Sequence, residues 1–314
     1  MRHHRFRELP DLLHAGDLLV VNNTRVFPAK LRGQVASGGA VELLLVRSET
    51  AGRWEVLARP ARRLRVGTMV GFGDGELRAR VTGVSALGKR TVELLHEGEL
   101  EPILERLGRT PLPPYIKRDP SGQGKGGSED RERYQTVYAR ERGSVAAPTA
   151  GLHFAEETLS ALASRAIEVV ELTLHIGYGT FQPMRTETVE KHRMEAERYT
   201  VPEKTAAAIE RARARGGRVV AVGTTTVRAL ESAALGPGKV RPGSGVTELF
   251  IHPGHPGFSF RIVDALLTNF HLPRSSLFML VCALGGVESV KRAYREAVRE
   301  RYRFYSYGDC MLLY

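Results

Sequence analysis

Three histidines stand in stretches of Gly, Pro, Thr and Asn that suit loops better than a packed core. His153 lies in Ala146-Ala147-Pro148-Thr149-Ala150-Gly151-Leu152-His153-Phe154. His175 opens His175-Ile176-Gly177-Tyr178-Gly179-Thr180-Phe181. His271 sits in Leu267-Thr268-Asn269-Phe270-His271-Leu272-Pro273-Arg274-Ser275-Ser276. An imidazole titrates near neutrality and can move a proton or hydrogen-bond a ligand. Backbone-rich polar loops are where sites concentrate. A fourth block, Val222-Gly223-Thr224-Thr225-Thr226-Val227-Arg228, joins a short apolar run to a helical pattern. Thr hydroxyls and helix-start N–H groups there would suit a carboxylate or phosphate. Loops 149–154, 175–181, 223–228 and 269–276 are expected to meet in one composite site.

Each feature has a bland counterpart. A lone His beside a core is usually hydrogen-bonded structure. The 223–228 block also reads as an ordinary capped helix. Arg228 is expected in the first turn, where a cation opposes the helix dipole, which favours a recruited role such as gripping a carboxylate. Gly177 and Gly179 let backbone approach a ligand closely, and Tyr178 and Phe181 offer faces to a flat base or a cation. Asn269 and Arg274 can hydrogen-bond around His271, which the bulky, stiff Pro273 follows. No Gly-x-Gly-x-x-Gly, P-loop or Gly-x-Ser-x-Gly elbow occurs, so a nicotinamide dinucleotide fold is rejected. His252 and His255, and His192 near Glu195 and Glu197, lack metal-ligand spacing, and no metal is expected. Asn22-Asn23-Thr24 matches a glycosylation sequon and reads as chance without a signal peptide.

Elements must position these loops. Leu18-Leu19-Val20-Val21 is a strand. Alternating runs at residues 41–47, 54–59, 68–72, 77–82 and 90–95, separated by turns such as Gly38-Gly39 and Asp74-Gly75, predict a small antiparallel barrel or sandwich. Residues 99–107 read as a helix ended by Gly108, 111–118 as extended, and 120–129 as a mobile Gly/Ser loop. Helices are expected at 155–165, 203–215, 226–234 and 287–302, and strands at 167–174 and 218–222. Residues 259–263 and 277–284 read as buried strand or helix. This alternation predicts an α/β (α+β) domain with a mixed sheet, built from residues 1–29 and 108–314, with the barrel inserted as 30–107.

Size and charge bound the function. The chain has 314 residues, 42% hydrophobic, enough for two domains. It contains no run of eighteen apolar residues, so no membrane span is expected. Cys282 and Cys310 form no disulfide framework, which fits a reducing cytoplasm. The net charge of +11 attracts polyanions such as nucleic acid, although a source that favours Arg would give the same balance. The arginines are spread along the whole chain, so no patch can be located. Tyr302-Arg303-Phe304-Tyr305-Ser306-Tyr307-Gly308-Asp309 interleaves aromatics with Arg, as a base-stacking surface or a packed helix end would.

These blocks resemble the S-adenosylmethionine:tRNA ribosyltransferase-isomerase family of queuosine biosynthesis. The resemblance also covers Gly16-Asp17-Leu18-Leu19-Val20-Val21-Asn22-Asn23-Thr24-Arg25-Val26, Pro111-Leu112-Pro113-Pro114-Tyr115-Ile116 and Asp130-Arg131-Glu132-Arg133-Tyr134-Gln135-Thr136-Val137-Tyr138-Ala139. It implies a cytoplasmic enzyme that takes S-adenosylmethionine as co-substrate, with no metal and no cofactor. The ribosyl portion of S-adenosylmethionine passes to the aminomethyl group of a 7-deazaguanine at the tRNA wobble position, and adenine and methionine leave. Under that reading His153, His271 and Asp309 are the proton-transfer candidates. Thr149, His175, Tyr178, Phe181, Thr224, Thr225, Arg228, Asn269 and Arg274 bind S-adenosylmethionine. Tyr115, Lys117, Arg118, Arg131 and Arg303 contact tRNA, which the barrel positions, and the protein acts as a monomer. Family members begin with a few tens of further residues before the point where this chain starts. They also read His-x-Met-His-x-Glu where this chain has His192-Arg193-Met194-Glu195-Ala196-Glu197. The alternatives are a non-catalytic tRNA-binding paralogue and an S-adenosylmethionine-dependent RNA methyltransferase.

Overall fold

A computed structural model describes residues 1–50, 52–85, 88–113, 115–116, 126–181 and 188–314. It divides into two compact units, Met1–Arg25 with Gln135–Glu141 and Ala147–Tyr314, and Val26–Tyr134 with Arg142–Ala146. Among the described residues no helix is long and apolar enough to cross a membrane.

The first unit is built on a seven-stranded mixed sheet. Its order is Gly243–Thr247, Glu197–Val201, Glu168–Leu174, Leu18–Asn22, Val219–Val222, Ala265–Asn269, Cys310–Leu313. The four strands from Glu168–Leu174 to Ala265–Asn269 run parallel. The remaining three pair antiparallel at the two sides. Leu18–Asn22 is central and every residue in it is buried. A strand covered on both faces needs such an unbroken apolar run, and only the last residue, Asn22, is polar. Helices Glu156–Ser164, Glu203–Ala214 and Thr224–Ala233 contact this sheet. The parallel strands end together at Asn22, Leu174, Val222 and Asn269. In open α/β sheets ligands bind beyond that carboxyl edge.

The second unit holds a closed barrel, ordered Lys30–Val35, Ala40–Thr50, Arg53–Arg59, Arg90–His96, Leu77–Val84, Met69–Phe72. Pairing of the first strand with the last closes it. Alternate residues such as Leu77, Ala79 and Val81 are buried and their neighbours exposed, as a strand with one wet face requires. Residues 108–134, assigned from sequence to the α/β domain, fall in this second unit. Arg131 donates to the Gly108 carbonyl at 2.7 Å and pairs with Glu105 at 3.6 Å, which ties them to the barrel's own helix, Leu100–Leu107.

Several expectations shift. The end of the stretch expected to be a mobile loop, 126–129, instead begins a helix, Gly126–Arg133, with Glu129 in its first turn and Arg131 and Arg133 in its last, the order its dipole favours; residues 120–125 lie outside the described residues. Residues 259–263 form no regular element. The Glu231 carboxylate instead accepts the backbone N–H groups of Arg261, Ile262 and Val263 at 2.9–3.1 Å. The expected 226–234 helix begins earlier, as Thr224–Ala233, so Arg228 lies a full turn inside it. Val287–Arg299 stops short of Tyr302.

Barrel closure depends on a glycine. A Cβ on Gly33 would meet the Gly71 carbonyl at 2.4 Å and the Phe72 ring at 2.6 Å, whereas one on Gly71 would meet nothing within 4 Å. Gly33→Ala is expected to cost about 1–3 kcal/mol of stability by overpacking, and Gly71→Ala less than about 0.5 kcal/mol. Urea denaturation of the two variants checks the contrast, and equal losses would contradict it.

Candidate functional site

At the carboxyl edge the backbone ladder ends and a side chain continues it. Asn22 Nδ2 donates to the Leu174 carbonyl at 3.0 Å and to Thr225 Oγ1 at 3.2 Å. Its Oδ1 accepts from Leu174 N at 3.0 Å and Thr24 N at 3.1 Å. This uses the full hydrogen-bonding capacity of a carboxamide. It binds the Glu168–Leu174 strand and helix Thr224–Ala233 to the central strand. Asn23 Oδ1 accepts the Thr173 hydroxyl at 2.7 Å. Thr24 Oγ1 meets His175 Nδ1 at 2.8 Å. The stretch Asn22-Asn23-Thr24, dismissed above as a chance sequon, is therefore the scaffold of this edge. The missed signal was three polar residues directly after a wholly apolar strand.

Gly223 leaves its strand with φ +86°, in the region that favours glycine, and donates to the Leu267 carbonyl at 2.8 Å. Thr224, Thr225 and Thr226 follow, all buried. Burial lowers the pKa of His175, with the Arg198 charge adding to it and Glu141 opposing. The ring is therefore neutral at physiological pH, held at Nδ1 by Thr24.

A second cluster joins two of the expected loops. Thr149 Oγ1 donates to Asn269 Oδ1 at 3.0 Å, and Asn269 Nδ2 lies 3.2 Å from His153 Nε2. With the amide donating, that nitrogen accepts and His153 carries its proton on Nδ1. The Phe6 ring stacks on the imidazole at 5.2 Å. Burial lowers the pKa of His153 and the charge of Asp309 partly restores it. The Asp309 carboxylate accepts from the Arg303 backbone at 2.7 Å, and the Arg303 guanidinium lies 3.9 Å from it. His271 Nε2 contacts Thr268 Oγ1 at 2.8 Å, and its backbone N–H donates to the Tyr294 hydroxyl at 2.8 Å. Burial pushes its pKa down to about 4.

Arg228 does not present itself to a ligand. It is buried and ion-paired with the equally buried Glu197, and its Nε donates to the Leu249 carbonyl at 3.0 Å. The other Glu197 oxygen accepts Gly177 N at 2.9 Å. A buried cation needs such partners, and this pair anchors the 175–181 loop. Arg274 is exposed, at φ +60° in the turn after His271. Among the described residues it makes no ion pair. Tyr178 opens the short turn Tyr178–Phe181, and the side chain of Phe181 lies outside the described residues. Glu195 packs on this turn: a Cβ on Gly179 would lie 3.2 Å from its carboxyl group. Of the expected tRNA contacts, Arg131 and Tyr115 belong to the second unit, Arg303 is exposed in the first, and Lys117 and Arg118 lie outside the described residues.

Two expected outcomes follow from this geometry. Arg228→Ala leaves Glu197 buried and unpaired and is expected to cost about 3–5 kcal/mol of stability, measured by urea denaturation. His271 has a folded-state pKa below its unfolded value of roughly 6.5. Its contribution to stability is therefore present above about pH 6.5 and falls by about 1.4 kcal/mol per pH unit towards pH 4. His271→Gln should flatten the loss of stability between about pH 7 and 5 by on the order of 2 kcal/mol; the same pH dependence in both proteins would contradict this.

Known proteins match over nearly the whole length. The sequence model of a family described as queuosine biosynthesis protein covers residues 1–313. The S-adenosylmethionine:tRNA ribosyltransferase-isomerase of Anaeromyxobacter sp. (strain Fw109-5) is 56% identical over 99% of this chain and 88% of its own length. That of Moorella thermoacetica is 52% identical over 100% and 89%. The crystal structure of S-adenosylmethionine tRNA ribosyltransferase from Thermotoga maritima superposes with a TM-score of 0.50 and 34% identity, covering 100% of this chain and 88% of that one. The chain belongs to the S-adenosylmethionine:tRNA ribosyltransferase-isomerase family of queuosine biosynthesis.

Proposed function

We infer that this chain is an S-adenosylmethionine:tRNA ribosyltransferase-isomerase. The observation that carries the reading is identity of about half or more, across nearly all of this chain, to relatives of that name. It moves the ribosyl portion of S-adenosylmethionine onto the 7-aminomethyl-7-deazaguanine at the tRNA wobble position. Adenine and methionine leave and epoxyqueuosine forms. S-adenosylmethionine is consumed as co-substrate, and the enzyme works in the cytoplasm as a monomer.

The carboxyl edge of the parallel strands supports this chemistry. Attack requires a neutral amine, a base for the proton made acidic beside the sulfonium, and hydrogen bonding to the departing adenine. His153 and His175 are imidazoles kept neutral by burial, each fixed at one nitrogen by Asn269 or Thr24. We assign proton transfer to His153, with Asp309 tuning its charge. His271, with its pKa near 4, is a poor proton donor at neutral pH and serves as a hydrogen-bonding support. Because Arg228 is committed to Glu197, we assign the methionine carboxylate to Arg274, an exposed cation that makes no ion pair among the described residues, with the start of helix Thr224–Ala233. Tyr178 faces the sulfonium.

The test is incubation with S-adenosylmethionine and tRNA carrying the 7-deazaguanine precursor, followed by mass spectrometry of nucleosides and free base. Epoxyqueuosine together with adenine is the expected result. S-adenosylhomocysteine would mark a methyltransferase, and neither product a tRNA-binding paralogue. His153→Ala is expected to lower turnover on the order of a hundredfold or more with its melting temperature little changed. Near-normal turnover in that variant would remove His153 from the mechanism.

A further inference from the structure

The barrel's positive charge is unevenly neutralised. Arg47 and Lys89 pair with Glu55, Arg53 with Glu49 and Arg80 with Glu93. Where strand Arg53–Arg59 runs into the turn that follows it, the balance changes. Arg59, Arg62, Arg63 and Arg65 are exposed, and among the described residues none has a carboxylate partner. The nearest acid in register is Glu42, opposite Arg59 on one side and Arg32 on the other. Its carboxylate is already shared by Lys30 at 3.1 Å and Arg32 at 3.4 Å.

This turn is held in shape by a buttress. Arg90 spends its guanidinium on backbone carbonyls, donating to Leu64 at 2.7 Å, Ala61 at 2.8 Å and Gly88 at 2.6 Å. Arg63 donates to the Ala40 carbonyl at 2.8 Å, fastening the turn to the adjacent hairpin. Leu64 is wholly buried beneath it. Arg59, at the end of its strand, and Arg62 and Arg65, in the turn, therefore sit on backbone that is already ordered, so engaging an anion costs little backbone entropy. Three exposed guanidiniums without a carboxylate partner among the described residues, close together on an ordered backbone, suit the phosphates of a nucleic-acid backbone, which Arg binds bidentately.

We propose that Arg59, Arg62 and Arg65 form a phosphate-binding surface through which the barrel holds the tRNA backbone. The proposal rests on the tRNA-modifying reading above for the identity of the polyanion. It locates a patch that the even spread of Arg along the sequence conceals.

The test is binding of an unmodified tRNA transcript, measured by fluorescence anisotropy across a salt series. The combined variant Arg59→Gln, Arg62→Gln and Arg65→Gln should raise Kd about tenfold or more near ~0.1 M salt. It should also reduce the slope of log Kd against log salt by roughly 2–3, one for each lost phosphate contact. Lys at the same three positions should restore most of the slope. Gln at the paired Arg47, Arg53 and Arg80 should change it by less than about one. A thermal melt on each preparation confirms folding. An unchanged slope in the first variant, or an equal loss in the paired set, overturns the proposal. Failure of the transferase reading has a different signature: adenine release is absent while tRNA binding and its salt slope persist.

Discussion

One carboxamide closes the architecture of the first unit. The parallel strands part company at their carboxyl ends, where backbone can no longer pair with backbone. Asn22 fills that gap, with both of its polar atoms used twice. Two parts of the site are placed by that junction: His175 through Thr24, and the start of helix Thr224–Ala233 through Thr225. An apolar residue at position 22 would leave Leu174 N–H and C=O unpaired in a buried setting, each a cost of about 1–3 kcal/mol. It would also free the turn from the strand.

The Arg228–Glu197 pair illustrates a second economy. Two buried charges satisfy one another, and the spare Glu197 oxygen fixes the backbone at Gly177. A residue that looks like a ligand-gripping cation is thereby a rivet between helix and loop. Burial and partner geometry decide between these roles, and neither is visible in a string of residue types.

How much could be read in advance varied with the kind of pattern. The central strand and the barrel strands carry strong signals, an unbroken apolar run in one case and alternation in the other. Strands Glu197–Val201 and Gly243–Thr247 were not foreseen. They lie toward one side of the sheet, where one face is wet, and Gly243-Ser244-Gly245 resembles a turn more than a strand. Cys310–Leu313 escaped as well, because it stands last in the sheet order, paired with Ala265–Asn269, and follows directly on an aromatic loop. In the site, the Gly/Pro/Thr setting of His153 and Asn269 pointed to their meeting. The role of Asn22 could not be read, because its partners Leu174 and Thr225 lie 152 and 203 residues further along the chain.

That separation bears on synthesis in the cell. At a translation rate of about 5–20 residues per second, the strand ending at Asn22 waits roughly 10–40 s for the segment that contains Thr225. For roughly the first 8–30 s of that interval, until Leu174 has been made, Leu18, Leu19, Val20 and Val21 have neither of their parallel neighbours, and an unpaired apolar strand is a template for misassociation. The six barrel strands, by contrast, are consecutive in the chain between Lys30 and His96. They emerge within the first third of translation and can close among themselves while the earlier strand still waits. Ribosome-bound chains stalled between residues 100 and 160 are the stage at which a chaperone has most to shield.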